Sequence, residues 1–425
     1  VVMAWAWLYL FRSLESPLPW AGGISQAEHF FYVDTLGSCM PKDGCTLGDH
    51  GVSKLRVLPT LANALNWGLT HVIVCRGASS IGYAMMFLIP LPFVLLSILF
   101  VQALTLEGSG QGIRAYAQPE FADLADPAIW ITATAQIFFS LSLGVGAMTA
   151  YGSYNKPDAH LVRDSVVVGL ANSACSLFSG VVVFAILGYI AHQEGVAVGE
   201  VASGGSGLAF VAFPTALALL PAPNLFSVMF FVMLLSLGLG SVVALVESFK
   251  AVLLECFPLM RKHNQLSSAL LCLTGWLAGL CMTTSDGRFY LDIFDHFVSC
   301  YIIVPVGLLE ALLVGWVYGA DRLAIDILKS TAEKVPIVWP ILIKYVVPVV
   351  VSILLMYNFC TEAVEVYGHY VWWGILIGWF ITLLTWACIA VGACIPLDSE
   401  RHCCDGEGEE IGLSMMTSIE LQHQI

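Results

Sequence analysis

The segment Gln136-Ile-Phe-Phe-Ser-Leu-Ser-Leu-Gly-Val-Gly-Ala147 lies in the middle of an apolar stretch long enough to cross a membrane. It carries two serines and two glycines at what would be the depth of the bilayer. Lipid offers no water to backbone groups, so a loosened helix is tolerated there only where protein buries it or a cavity hydrates it. The segment therefore predicts a broken membrane helix that presents carbonyl and hydroxyl oxygens to an ion or a solute. Close packing of small residues between helices is the alternative.

The composition places the chain in a membrane. Of its 425 residues, 58% are hydrophobic and only 11% are charged, which excludes an ordinary soluble domain. The sequence offers no basic surface for nucleic acid. Apolar windows predict a half-helix at 1–11 and further spans at about 58–74, 81–104, 129–154, 166–191, 225–256, 268–282, 291–318, 341–357 and 370–394. The fold class is therefore an all-α polytopic membrane protein.

The distribution of Lys and Arg orients these spans. It places residues 12–57 in a long extracellular loop and residues 396–425 in an acidic cytosolic tail, so that the membrane domain comprises residues 1–395. Because the chain opens inside an apolar run and does not begin with an initiator Met, we expect it to be incomplete at its N-terminus. Cys39 and Cys45 share the extracellular loop, where an oxidising environment favours a disulfide between them.

Further polar residues occur at membrane depth. Asn172 and Ser176 lie one helical turn apart, and Gln136 and Ser140 have the same spacing. In Leu237-Gly-Leu-Gly-Ser241, glycine and hydroxyl again occur in mid-span. Carbonyl and hydroxyl oxygens suit a hard cation such as Na⁺, whereas hydrogen bonding between helices would account for the same residues.

Two other features are candidates for movement or charge coupling. Gly82 and Pro92 mark either a helix end that unwinds or a static kink. Ionisable residues within spans are functional candidates because burying charge in lipid is costly, and they are Glu247, Asp295, His296 and Glu310. Simple solvation is the alternative for Asp295, near the outer end of its span. No nucleophile motif or metal cluster supports a membrane enzyme.

Six segments, in order along nearly the whole chain, resemble the sodium- and chloride-dependent neurotransmitter symporters. They are Ser16-Pro-Leu-Pro-Trp20, the segment from Gln136 to Ala147, Ala150-Tyr-Gly-Ser-Tyr-Asn-Lys156, Gly207-Leu-Ala-Phe210, Leu237-Gly-Leu-Gly-Ser241 and Trp316-Val-Tyr-Gly-Ala-Asp-Arg322. The resemblance implies a LeuT-like inverted-repeat fold, with about ten of its twelve spans present and the first of them partial. The first two family helices would then precede Val1.

The resemblance also implies a set of sites. Na⁺ would bind in a first site with Ser140 and Asn172 and in a second with Leu237, Gly240 and Ser241. Cl⁻ would be coordinated by Gln136, Ser140, Asn172 and Ser176. The substrate would contact Phe139, Ser142, Val145, Ser241 and Leu245. Gating residues would be Asp295 at the outer gate and Gly82 with Pro92 at the inner one, and Cys39 with Cys45 falls in the loop that carries a disulfide in relatives.

Two positions depart from the family pattern. Gly240 stands where many relatives that carry amines or GABA have Asp, so a charged ligand of the second Na⁺ site is missing. Val145 replaces an aromatic residue that is frequent there. Together they favour an amino-acid-type substrate and an altered ion dependence.

The sequence therefore predicts a fragment of a multi-pass plasma-membrane symporter that moves an amino acid, neurotransmitter or related amine with Na⁺ and Cl⁻ by alternating access. Because the first helix would supply much of each site, the chain alone is expected to be inert. The alternative is a non-transporting truncated member that regulates or associates with intact transporters. A homo-oligomer is left open.

Overall fold

The computed structural model of the protein describes residues 1–40, 53–119, 121–155, 159–201, 205–364 and 372–394. Within these ranges the regular elements are helical, and an isolated bridge between Leu55 and Thr284 joins two extended residues. One compact unit comprises Val1–Gly378 and a second begins at Trp379. The predicted tail of residues 396–425 lies outside the described residues.

The first half of the chain alternates long helices with short ones. Its α-helices are α1 (Val2–Arg12), α2 (Ile24–His29), α3 (Val57–Val74), α4 (Ala78–Leu88), α5 (Pro90–Leu104), α6 (Ser109–Ala117), α7 (Pro127–Ser140), α8 (Ala147–Ser153), α9 (Leu161–Glu194), α10 (Val198–Val201) and α11 (Phe213–Ala218). Wider π-helical turns extend α2 at Phe30–Thr35 and precede α11 at Leu208–Ala212.

The second half contains α12 (Pro223–Cys256), α13 (Pro258–Lys262), α14 (Asn264–Ala278), α15 (Gly287–Val298), α16 (Val304–Leu312), α17 (Ala320–Thr331), α18 (Val338–Ile341), α19 (Val347–Val364) and α20 (Trp372–Cys394). The π-helical turns at Ser299–Ile303 and Leu313–Gly319 join α15, α16 and α17. A third, at Leu342–Val346, joins α18 to α19.

Six helical stretches in the described ranges are long and apolar enough to cross a membrane. They are Ser79–Leu104, Leu161–Glu194, Pro223–Leu254, Gly287–Thr331, Val338–Cys360 and Trp372–Ala393. The prediction of an all-α polytopic membrane protein is therefore confirmed. The remaining predicted spans correspond to α1, α3, α14 and the interrupted pair α7 and α8. These are shorter or more polar: α14 has 15 residues and α3 carries the buried Asn63 and Asn66.

The predicted loop of residues 12–57 and the stretch between the spans predicted at 166–191 and 225–256 are both partly helical. The first contains α2 and the second contains α10 and α11. Aromatic packing accounts for this, because Phe31 and Phe210 come from these segments, are fully buried and stack with ring centroids 5.2 Å apart. Neither helix matches a membrane span in a hydropathy reading, because α2 (ISQAEH) is largely polar and the apolar helical stretch around α11 covers only Leu208–Ala218.

Tyr9 on α1 lies at the centre of a buried aromatic cluster. Its ring stacks on Trp20 at 4.9 Å and lies 5.0 Å from Phe231 on α12. Its hydroxyl donates to the carbonyl of Phe210 at 2.8 Å, which satisfies the polar atom inside the cluster. Two of the six family-like segments therefore meet here, and they fix α1 and the turn before α11 against α12.

The helices α6 and α9 cross at close range through glycines. A Cβ built on Gly112 of α6 would overlap the carbonyl of Phe184 and lie 2.8 Å from the amide nitrogen of Gly188, both on α9. A Cβ on Gly110, in the same short helix, would meet nothing within 4 Å. Gly112 is therefore required by packing, and Gly110 is not.

We expect Gly112→Ala to lower the midpoint of thermal unfolding, since overpacking a tight contact costs about 1–3 kcal/mol. Gly110→Ala is the matched control, and it should leave the midpoint unchanged or raise it, because alanine in a helix interior is favoured by about 0.5–1 kcal/mol. Thermal unfolding of the purified protein in detergent measures both. Equal midpoints for the two variants would show that the close crossing is absent.

Candidate functional site

The predicted break lies between α7 and α8. The N-cap of α7 is Asp126, whose carboxylate accepts the amide of Ala128 at 2.9 Å, and the helix ends at Ser140. Ser142, Gly144 and Gly146 follow with φ of 53°, 70° and 80°. This left-handed conformation costs a residue other than glycine about 1–2 kcal/mol. The two glycines thus permit the break, and Ser142 holds backbone strain.

The break leaves backbone acceptors unpaired. Leu143 donates its amide to the carbonyl of Phe138 at 2.9 Å, and the next helical bond runs from Ala150 to Gly146 at 3.0 Å. Among the described residues, the carbonyls from Ser140 to Val145 accept no backbone hydrogen bond. At membrane depth such oxygens need another partner, and a bound cation is one that satisfies them.

A cavity of about 1000 Å³ lies beside this break, between α4, α7, α8 and α12. Its lining is Ile81, Gly82, Met85, Leu88, Ile89, Phe93, Gln136, Phe139, Ser140, Ser142, Val145, Tyr151, Tyr154, Ser236, Leu237, Gly240, Ser241, Ala244, Leu245, Glu247, Val298 and Ile303. Apolar side chains with a few hydroxyl, amide and carboxylate groups are typical of a site for a small molecule.

The cavity brings together residues that the sequence separates by about a hundred positions. All five predicted substrate contacts line it: Phe139, Ser142, Val145, Ser241 and Leu245. Phe139 is 59% exposed, although it is a large apolar side chain in a predicted span. Phe139 thus contributes an apolar ring to the wall of the cavity.

The predicted first Na⁺ site joins α7 to α9. The Ser140 hydroxyl donates to the side-chain oxygen of Asn172 at 2.8 Å. Gln136, one turn earlier on α7, lines the cavity, whereas Asn172 and Ser176 lie on α9 outside its lining. Two of the four predicted Cl⁻ ligands are therefore in contact, and Ser176 lies one turn beyond that contact.

The predicted second Na⁺ site lies on α12. Ser241 donates its hydroxyl to the carbonyl of Leu237 at 3.2 Å, so two oxygens lie side by side on the cavity wall. A Cβ built on Gly240 would meet nothing within 4 Å. The place that a carboxylate occupies in many relatives is therefore open.

The predicted gating residues are dispersed. Gly82 lines the cavity but lies within α4, and the helix is interrupted after Leu88, before Pro90. Pro92 is buried outside the lining, and Asp295 is exposed on α15. The Cys39–Cys45 disulfide stays a prediction, because Cys45 lies outside the described residues.

Tyr154 and Lys250, near one end of the cavity, had no assigned role in the sequence analysis. Tyr154 donates its hydroxyl to Glu247 at 3.3 Å, and both residues line the cavity. Lys250, inside the span predicted at 225–256, is only 1% exposed and lies against Glu247. The signal in the sequence was a base three residues after an acid inside a span.

The fold and this cavity define a polytopic membrane protein with a cavity of small-molecule size beside a broken helix. Residues 22–400 match the sodium:neurotransmitter symporter family. The chain belongs to this family, which is made up of transporters rather than enzymes.

The relatives are named for three solutes. The chain is 33% identical to the sodium- and chloride-dependent creatine transporter 1 of Bos taurus, over 92% of this chain and 67% of the relative. It is 32% identical to the sodium- and chloride-dependent taurine transporter of Canis lupus familiaris, over 96% and 70%. It is 33% identical to the sodium- and chloride-dependent GABA transporter 2 of Homo sapiens, over 92% and 69%.

We expect Gly144→Ala to destabilise the protein more than Gly146→Ala. Both positions have positive φ, so both variants carry backbone strain of about 1–2 kcal/mol. Only at Gly144 would the new Cβ also lie 2.6 Å from a backbone oxygen, that of Ile303, whereas at Gly146 it meets nothing within 4 Å. Thermal unfolding in detergent compares the two, and a larger loss for Gly146→Ala would contradict this packing of the break.

Proposed function

We propose that this protein is a Na⁺-coupled, Cl⁻-dependent symporter for a short zwitterionic solute, an amino acid, neurotransmitter or related amine. It would act in the plasma membrane with its C-terminus in the cytosol. The observation that carries the proposal is the meeting of unpaired carbonyls, hydroxyls and an exposed aromatic ring in one cavity beside a broken helix. Family membership supports the same activity.

Sodium would bind at two places on the cavity wall. One is next to Ser140, where the hydroxyl and the oxygen of Asn172 lie 2.8 Å apart. The other is next to Leu237 and Ser241 on α12. Chloride would bind near Gln136 and Ser176, each of which lies one helical turn from the Ser140–Asn172 contact on its own helix. Such a pairing of anion and cation sites offsets the charge that each ion brings out of water.

The solute would lie across Phe139 and the break. Ser142, Ser241 and the freed carbonyls offer hydrogen bonds to its charged ends, and the ring of Phe139 offers its face to an ammonium or guanidinium group. Relatives named for creatine, taurine and GABA favour a solute in which a cationic and an anionic group are separated by a short apolar chain.

Uptake of radiolabelled creatine, taurine and GABA by cells expressing the full-length protein tests this function. We expect uptake of at least one of them, and a fall to background when Na⁺ is replaced by choline. Ser140→Ala combined with Asn172→Ala should raise the Na⁺ concentration for half-maximal uptake by roughly tenfold, since both oxygens of the first site are removed.

Ser173→Ala is the matched control. Ser173 neighbours Asn172 on α9 but donates its hydroxyl to the carbonyl of Gly169 at 3.1 Å, so it should leave the Na⁺ dependence unchanged. Uptake that is indifferent both to Na⁺ and to the double substitution would rule out the ion assignment.

We also expect Gly240→Asp to strengthen Na⁺ binding at the second site. The position is open and adjoins Ser241, so the carboxylate would add a charged ligand without a steric clash. The Na⁺ concentration for half-maximal uptake should fall by roughly tenfold. Gly240→Asn has nearly the same shape without the charge and should change it little. Equal effects of Asp and Asn would place the second Na⁺ site elsewhere.

A further inference from the structure

The helix α12 buries an ion pair inside a stretch that can cross the membrane. The Lys250 ammonium lies 3.2 Å from Glu247 Oε2, and the two side chains are 1% and 6% exposed. Taking two charges out of water costs several kcal/mol for each ion, which their attraction repays only with good geometry and further hydrogen bonds. Intramembrane ionisable residues are therefore functional candidates.

Each member of the pair also contacts a different helix. Lys250 donates to the carbonyl of Val74 at 3.2 Å, and Val74 is the last residue of α3. Glu247 Oε1 accepts the Tyr154 hydroxyl at 3.3 Å, and Tyr154 is the C-cap of α8. One ion pair thus connects α12 to α3 on one side and to the arm beyond the broken helix on the other.

The pair is asymmetric with respect to the cavity. Glu247 and Tyr154 line it, whereas Lys250 lies outside its lining, against α3. A tyrosine hydroxyl alone does not neutralise a buried carboxylate, so the ammonium is what lets Glu247 stay charged at this place. Lys250 therefore affects the cavity through Glu247 and not by contact.

We propose that Lys250 is a positioning residue of the transport path. Its ammonium, anchored on Val74, fixes the Glu247 carboxylate so that the second oxygen receives Tyr154, and this closes the end of the cavity by holding α8 on α12. The inference rests on the proposed function in that it takes the cavity as the path of the solute. The contacts themselves do not depend on which solute is carried.

The pair predicts a specific order among variants. Lys250→Met keeps most of the stem but leaves Glu247 as an uncompensated buried charge, which destabilises the carboxylate at its present place. Combining Lys250→Met with Glu247→Gln removes both charges, and the amide oxygen of the new glutamine can still accept from Tyr154. The double variant should therefore hold α8 against α12 better than the single Lys250→Met variant does.

Hydrogen–deuterium exchange, resolved by peptide, tests this on the purified protein in detergent without any transport assay. We expect Lys250→Met to speed exchange of residues 147–154 by about tenfold, and the double variant to restore most of the protection. The matched control is Lys329→Met on α17. Lys329 lies 3.7 Å from Asp326 with the same spacing of three residues, but the two side chains are 73% and 41% exposed. Lys329→Met should leave the exchange rate of residues 147–154 unchanged.

Uptake by the same variants separates this inference from the proposed function. If residues 147–154 exchange at the wild-type rate in Lys250→Met, or if the double variant exchanges as fast as the single one, the positioning role is wrong. If exchange follows the predicted order while uptake is absent from every form including the wild type, the positioning role stands and the proposed function falls.

Discussion

The structure depends on a constraint that the membrane imposes on the backbone, which is that a polar group at bilayer depth must have a partner. The chain breaks this rule locally between α7 and α8, where six consecutive carbonyls from Ser140 to Val145 accept no backbone hydrogen bond among the described residues. A break of this kind persists only where its surroundings over-determine it. Gly144 packs against the turn before α16, and α12 forms the opposite wall of the cavity.

The protein meets the same constraint in two contrasting ways on α12. At Leu237 and Ser241 the polar oxygens point to an open cavity, where a partner from outside the chain can satisfy them. About two turns beyond Ser241, Glu247 and Lys250 are satisfied within the protein, by each other, by Tyr154 and by Val74. On the account proposed above, one end of the cavity receives ions and solute, and internal charge pairing holds the other end closed.

Three apolar residues of the candidate site, Phe139, Leu237 and Leu245, line the cavity and are 59%, 52% and 45% exposed. The fold is stabilised by apolar side chains that are buried elsewhere, above all those around Tyr9 and Trp20. The aromatic residues that stabilise the fold, such as Tyr9 and Trp20, therefore differ from Phe139, the aromatic residue of the candidate site.

Sequence patterns predicted the part of the fold that depends on local signals. Apolar runs predicted the ends of α12 and α20 to within two residues and those of α9 to within five, and the glycines near Ser142 predicted the position of the break. Hydropathy could not find α2 or α11, because these short helices are stabilised by tertiary contacts such as the stacking of Phe31 on Phe210.

The candidate site was predictable only where a family-like segment carried it. The resemblance placed Phe139, Ser142 and Ser241 at the substrate site, and the structure brings all three to one cavity. The sequence did not predict a role for Lys250 or Tyr154, because a lysine near the end of a span is normally interpreted as a cytosolic charge. Its burial follows from the approach of α3 and α8, which no local pattern encodes.

Thiol labelling of Val145→Cys, read by peptide mass spectrometry, tests the central claim most directly. Val145 lies in the break, lines the cavity and is 38% exposed. If the cavity binds Na⁺ and solute together, labelling should slow in proportion to occupancy when both are present and much less with either alone. A cysteine at Ile98, which is 45% exposed outside this cavity, should label at one rate throughout. Labelling of Val145→Cys that ignores Na⁺ and every transported solute would contradict the claim that this cavity is the transport site.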